Sequence, residues 1–171
     1  MLAGWKPLAL VLLLAPQAPT PDIHYVPTST GVADAMLKLA HVTSSDVVYD
    51  LGSGDGRIVI AAARKYGARG VGIELDPDLV RTARKNAQAS GVADRVTFRE
   101  EDLMKADVSD ATVVTLYLSN SLNMRLRTIL QRRLRPGSRI VSHRFAMGDW
   151  KPESEQHLEG TTIYLWTIPP R

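Results

Sequence analysis

Apolar strand-like runs alternate with amphipathic helical segments from Val47 to Phe145, and a glycine-rich turn follows the first run directly. These two observations predict an α/β fold in three layers, α/β/α, doubly wound about a mostly parallel sheet. A last β-rich run, Thr161 to Ile168 (T-T-I-Y-L-W-T-I), has no helix before it and is expected to pair antiparallel at the sheet edge. At 171 residues the chain is long enough for one domain with a buried core and too short for two.

Residues 16 to 24 read as a proline-rich linker, and the domain is placed from about residue 22 to 171. From Ser29 to His41, Val32, Ala33, Met36, Leu37 and Ala40 fall at helical spacing, with Thr28 or Ser29 available as N-cap. Val47 to Leu51 suits a buried parallel strand, and Ile58 to Tyr66 a helix that Gly67 can terminate. Gly70 to Leu75 (G-V-G-I-E-L) is a second buried strand, leading to a helix from Pro77 through Ser90 with Gly91 as its stop. Val96 to Glu100 is the third strand and Thr112 to Leu118 (T-V-V-T-L-Y-L) the fourth. Leu122, Leu126, Ile129, Leu130 and Leu134 stripe the next helix, which stops at the Pro136-Gly137 turn before a fifth strand, Arg139 to Phe145.

Asp50 to Gly56 reads D-L-G-S-G-D-G at a strand-to-loop junction, where glycines let the backbone turn tightly under a ligand. A dinucleotide fingerprint, G-x-G-x-x-G, would put glycine where this chain has Arg57. The spacing is instead G-x-G-x-G after an acid. Asp50 would repel a pyrophosphate and suits a cation such as the amino group of a methionine moiety. Glu74 ends the second strand, so both acids face one crevice at the carboxyl ends of the strands, and a carboxylate there can accept two hydrogen bonds from a ribose diol. The third strand runs out at Glu101-Asp102-Leu103.

This set resembles motif I and its companions in the S-adenosyl-L-methionine (SAM) dependent methyltransferases of class I, whose fold is a Rossmann-like seven-strand sheet. Three further patterns narrow the likeness: Tyr25-Val26-Pro27-Thr28 before the first helix, Leu118-Ser119-Asn120 after the fourth strand, and Arg139-Ile140-Val141-Ser142-His143 in the fifth. Together they resemble the protein-lysine methyltransferases that modify the mitochondrial ATP synthase c-subunit and the adenine nucleotide translocase, with their small prokaryotic relatives. A more distant likeness is to the histone lysine methyltransferases that lack a SET domain. The resemblance implies that Asp50, Gly52 and Gly54 hold the methionine end of SAM, with Ser53 and Gly56 of the same loop, that Glu74 holds the ribose, and that Asp102 and Leu103 hold the adenine. It also implies that Tyr25 and Thr28 close over the donor, that Ser119 contacts it, and that Tyr25 and Asn120 position the acceptor. The N/D-P-P-Y tetrapeptide common after the fourth strand of amino-group methyltransferases is absent. His143 has two readings, proton transfer or a hydrogen-bonded structural role, and Phe145 and Trp150 wall either a lysine channel or ordinary core.

Composition bounds the partners. With no cysteine, disulfides, zinc thiolates and thiol catalysis are excluded, and no metal site is expected. The net charge of +3 is mild, but Arg125, Arg127, Arg132, Arg133, Arg135, Arg139 and Arg144 crowd a stretch free of Asp and Glu. They form either a patch for an acidic partner or membrane surface, or a solvated helix face. Lys6 precedes Leu8 to Ala15 (L-A-L-V-L-L-L-A), a run too short to span a bilayer. It is either a membrane-associating segment, with the protein in the cytoplasm or on the cytoplasmic face of a membrane, or a secretory signal that exports it. The short stretch between Phe145 and Thr161 leaves no room for a large lid, which favours a protein or other large substrate; the resemblance implies that this is a protein carrying an acceptor lysine, and a monomeric enzyme is expected. The apolar run Leu8 to Ala15 suggests that this substrate is membrane-associated. Small-molecule or nucleic-acid methylation and a non-catalytic SAM-binding module are the alternatives, nucleic acid being disfavoured by the missing tetrapeptide and binding module.

Overall fold

The structure, a computed structural model, describes residues 26–158 and 160–171. Tyr25, the apolar run Leu8 to Ala15 and the whole proline-rich stretch of residues 16 to 24 lie outside the described residues. The elements follow in the order α1 (Thr30–Leu39), β1 (Val47–Leu51), α2 (Arg57–Tyr66), β2 (Arg69–Glu74), α3 (Pro77–Ala89), β3 (Val96–Glu100), β4 (Val113–Leu116), α4 (Asn120–Arg133), β5 (Arg139–His143), β6 (Ser154–Leu158) and β7 (Thr161–Thr167). One seven-stranded sheet has the order β3-β2-β1-β4-β5-β7-β6. The first five strands are parallel, and β7 runs antiparallel to β5, as its position after a helix-free connection requires.

Helix ends follow local chemistry. Ser29 caps α1 by accepting from Val32 N, and Asp76 caps α3 by accepting from Asp78 N and Leu79 N, with Pro77 in the first turn. β1 and β4, at the centre of the parallel region, are buried on both faces, so they read as continuous apolar runs. Val48, Val113 and Val141 face α1, α2 and α3, whose Met36, Leu37, Val59 and Val80 complete one core layer. Tyr49, Leu51, Val114, Leu116 and Ile140 face the other way, against Leu122, Leu126 and Leu130 of α4 and its C-cap Leu134. Each such buried leucine contributes about 1.5–3 kcal/mol relative to exposure.

Three features differ most from the sequence expectation. The edge belongs to β6, which pairs antiparallel on the far side of β7, so the last strand is interior by one place. Its residues Ser154, Glu155, Gln156 and His157 are exposed, and such a strand carries no apolar alternation to read. β4 ends at Leu116, and Tyr117 and Leu118 leave the ladder to line the cavity described below. β5 ends at His143 because Arg144 adopts a φ of 69°.

Candidate active site

The strand order reverses between β1 and β4, the position at which doubly wound sheets bind ligands. A cavity of about 930 Å³ opens there. Its floor is the motif loop. Gly52 N and Ser53 N donate to Ile73 O at 2.8 and 2.9 Å, folding the loop over the end of β2. Gly52 has a φ of 84°, and a Cβ on it would fall 2.9 Å from Leu118 Cδ2. Gly56, at φ 81°, starts α2 against Phe98, which a Cβ would meet at 2.5 Å. Both positions require glycine, one for conformation beside the cavity and one for helix-on-sheet packing.

Asp50 is buried and lines the cavity. It stands opposite Thr115 in the β1–β4 register, and Thr115 Oγ1 donates to Asp50 Oδ1 at 2.7 Å. Burial, reinforced by the carboxylates of Glu74 and Asp55, raises the Asp50 carboxyl to about 7 against the lowering effect of Thr115. Glu74 also lines the cavity, and its carboxylate knits the loops together: Oε2 accepts from Gly54 N at 2.9 Å, while Oε1 accepts from Leu75 N at 2.7 Å and Asp76 N at 2.9 Å. Asp102 and Leu103 line the far end, where Asp102 Oδ1 accepts from Met104 N at 2.9 Å.

Thr28, Asp50, Gly52, Ser53, Glu74, Asp102 and Leu103 are therefore brought together around one cavity. Gly54 and Gly56 shape its loop from behind. Ser119 and Asn120 do not line it: the Ser119 hydroxyl caps α4 by accepting from Leu122 N at 3.3 Å, and Asn120 is the exposed first residue of that helix. Trp150 lies elsewhere, 5.9 Å from the Trp166 ring and beneath the Arg127 guanidinium. Phe145 stacks on Tyr117 at 6.3 Å, and Tyr117, which lines the cavity, lies 3.9 Å from the His143 ring. His143 Nδ1 is 3.3 Å from Thr28 Oγ1. Burial, and then Arg144, holds His143 below its ordinary value, so it is neutral at pH 7.

Sequence reasoning missed Thr115, Arg57, Tyr117 and Asn123. Arg57 Nη1 donates to Thr28 O at 2.9 Å while its Nε and Nη2 grip Asp55, tying the entry segment of the domain to the motif loop. Asn123 is fully buried on the leucine face of α4. A hydroxyl inside an apolar strand and an amide inside a leucine stripe were the available signals.

The cavity fits the adenosyl-methionine group on its own chemistry. Buried Asp50 suits an ammonium at one end, Glu74 offers a carboxylate for the ribose, and Asp102 with Leu103 offers a polar and an apolar group for the adenine. Ser53 lines the cavity, while its Oγ is buried without a hydrogen-bond partner among the described residues and packs toward Gly72, where a Cβ would meet it at 2.6 Å.

Comparison with known proteins agrees. The family model of the ANTKMT methyltransferase domain matches residues 50–154. A protein-lysine N-methyltransferase of Saccharolobus islandicus is 39% identical over 86% of this chain and 95% of its own length. The adenine nucleotide translocase lysine N-methyltransferase of Mus musculus is 37% identical over 77% of this chain, a match that spans 57% of that relative. Among solved structures, an RNA methyltransferase from Salinibacter ruber in complex with S-adenosyl-L-homocysteine is 62% identical, with a TM-score of 0.85 over 85% of this chain and 95% of that one. From fold, cavity and likeness together, this chain belongs to the ANTKMT methyltransferase domain family and is a SAM-dependent methyltransferase.

Proposed function

We propose that the enzyme methylates the side-chain amine of lysine in a protein. The observation that carries this reading is Tyr117 at the cavity wall, with the half-buried Phe145 stacked on it and the buried His143 ring against it, an aromatic group suited to a methylene chain ending in an amine. The likeness to the Saccharolobus islandicus protein-lysine N-methyltransferase over nearly its whole length supports it.

SAM supplies an activated methyl group on a sulfonium leaving group. The chain's residues have to hold, align and keep dry. Asp50 and Ser53 suit the amino-acid end of the donor, Glu74 the ribose, and Asp102 with Leu103 the adenine. Leu118 and Leu122 keep water from the middle of the cavity. The acceptor must arrive neutral, and freeing a lysine of its proton at pH 7 costs about 4–5 kcal/mol. Thr28 Oγ1 at the cavity contacts His143 Nδ1, but the burial and Arg144 charge that disfavour the imidazolium make His143 a poor acceptor for that proton and suit it to a structural, hydrogen-bonded role. We extend the proposal to a monomeric enzyme acting in the cytoplasm or at its membrane face, the apolar run Leu8 to Ala15 favouring an acceptor near a membrane.

A second reading, an RNA acceptor, is favoured by the name of the Salinibacter ruber relative and by Arg125 at the cavity edge. One experiment separates the two. Purified enzyme is incubated with methyl-labelled SAM and host-cell lysate, the product is split by protease and ribonuclease, and the methylated residue is mapped by mass spectrometry. Methyl-lysine in a peptide supports the first reading; label confined to nucleotides establishes the second; label confined to small metabolites removes both.

A further inference from the structure

Arg144 is a non-glycine residue with a φ of 69°, directly after β5. Phe145 N donates to His143 O at 2.9 Å, which closes a γ-turn centred on Arg144, a shape L-residues seldom adopt. Two side chains grip the residue after it. Asn123 Nδ2 donates to Phe145 O at 2.9 Å and to Ser142 Oγ at 3.0 Å, and Ser142 Oγ donates in turn to Phe145 O at 2.6 Å. Arg144 N donates to Thr162 O at 2.7 Å, anchoring the turn to β7.

Asn123 is 0% exposed, and its Oδ1 has no partner among the described residues. A core built for stability alone would carry an apolar residue at this position, since an orphaned buried amide oxygen is unfavourable. The arrangement instead secures one outcome: the Phe145 ring is laid against Tyr117, with their planes 20° apart. The Arg144 guanidinium lies 5.8 Å from the Phe145 ring centroid.

We infer that Asn123 and Ser142 are positioning residues for the methyl acceptor, acting through the Arg144 turn to fix Phe145 beside Tyr117 as the wall along which the lysine side chain lies. This rests on the lysine reading above. Neither positioning residue lies among those lining the donor cavity, so their effect falls on acceptor recognition.

The test uses the full chain, methyl-labelled SAM and the protein fraction of host lysate at graded concentration, with calorimetric binding of S-adenosyl-L-homocysteine as the donor-side control. Phe145→Ala is expected to raise the apparent KM for the protein fraction roughly tenfold, the scale of one lost aromatic contact, with affinity for S-adenosyl-L-homocysteine unchanged. Phe145→Tyr restores the wild-type KM. Ser142→Ala and Asn123→Ala reproduce the KM effect more weakly; should Asn123→Ala fail to fold, Ser142→Ala decides. Wild-type KM values in Phe145→Ala and Ser142→Ala, or equal losses of donor and acceptor binding, overturn the inference while leaving the lysine reading intact. Label found only in RNA with the wild-type enzyme overturns both before any variant is compared.

Discussion

Asp50 is subject to two opposed demands. Burial and the nearby Glu74 and Asp55 carboxylates push its carboxyl up to about 7, whereas holding a cationic amino group requires it ionised. Affinity for S-adenosyl-L-homocysteine should therefore strengthen as pH rises through about 7, by up to roughly tenfold per unit below that value, and Asp50→Asn should flatten the profile. Calorimetry between pH 5.5 and pH 8.5, read as an approximate window around that value, checks this. The same shift has a stability sign. A carboxyl whose folded pKa lies above its ordinary 3.8 favours the fold most at low pH, and that contribution is lost as pH rises through about 7. Without ligand, Asp50→Asn should melt a few degrees above wild type at about pH 8 while binding the donor more weakly. A lower melting temperature for the variant at that pH would contradict the buried-charge account.

At the scale of elements, one brace joins α1 to the sheet. Arg139 on β5 donates to Ala40 O at 2.6 Å and His41 O at 3.2 Å and pairs with the buried carboxylate of Asp46, just before β1. Burial works against the Asp46 charge, but hydrogen bonds from Thr112 and Thr43 and the charge of Arg139 outweigh it and hold the carboxyl below its ordinary value. Arg139→Gln should cost about 3 kcal/mol, the scale for stranding one partner of a buried pair, seen as a lower urea midpoint with S-adenosyl-L-homocysteine affinity unchanged. The wild-type advantage is present above the ordinary carboxylate range and should fade as pH falls through the lowered Asp46 value. The elements that sequence pattern reveals are those buried on both faces or striped at helical spacing, such as β1 and α4. β6 is a strand only because β7 offers it an edge, and its S-E-Q-H-L run carries no such mark. Strand-end acids Asp50 and Glu74 are legible because topology fixes where strand ends go. Thr115 and Asn123 are not, since their roles arise from partners on other strands and loops that no local spacing encodes. Three residues separate Asn120, singled out by likeness, from Asn123, which the fold buries; one helical turn decides which of them meets β5.

The whole molecule places a cofactor crevice where the winding of the sheet reverses, with α1, α2 and α3 on one face and α4 on the other. The arginine-rich stretch divides on folding. Arg127 pairs with Asp149, Arg133 donates to Ala106 O at 2.7 Å, and Arg139 braces α1, whereas Arg125 stands at the cavity and Arg132 is exposed on α4. Arg125→Gln with Arg132→Gln should raise the apparent KM for a macromolecular acceptor and flatten the salt dependence of the rate, because exposed cations act through a field screened over about 8–10 Å. Rate measurements across a salt series check this, with an unchanged response marking a solvated face. We propose that Asp50 and Glu74, ending adjacent strands, anchor the donor. This anchoring is tested most directly by calorimetric titration of S-adenosyl-L-homocysteine into the wild type, Asp50→Ala and Glu74→Ala at a pH of about 8, above the raised Asp50 value. Each variant should lose about 1–3 kcal/mol of binding free energy, the range for a lost charged hydrogen bond. Wild-type affinity in both variants would contradict the account.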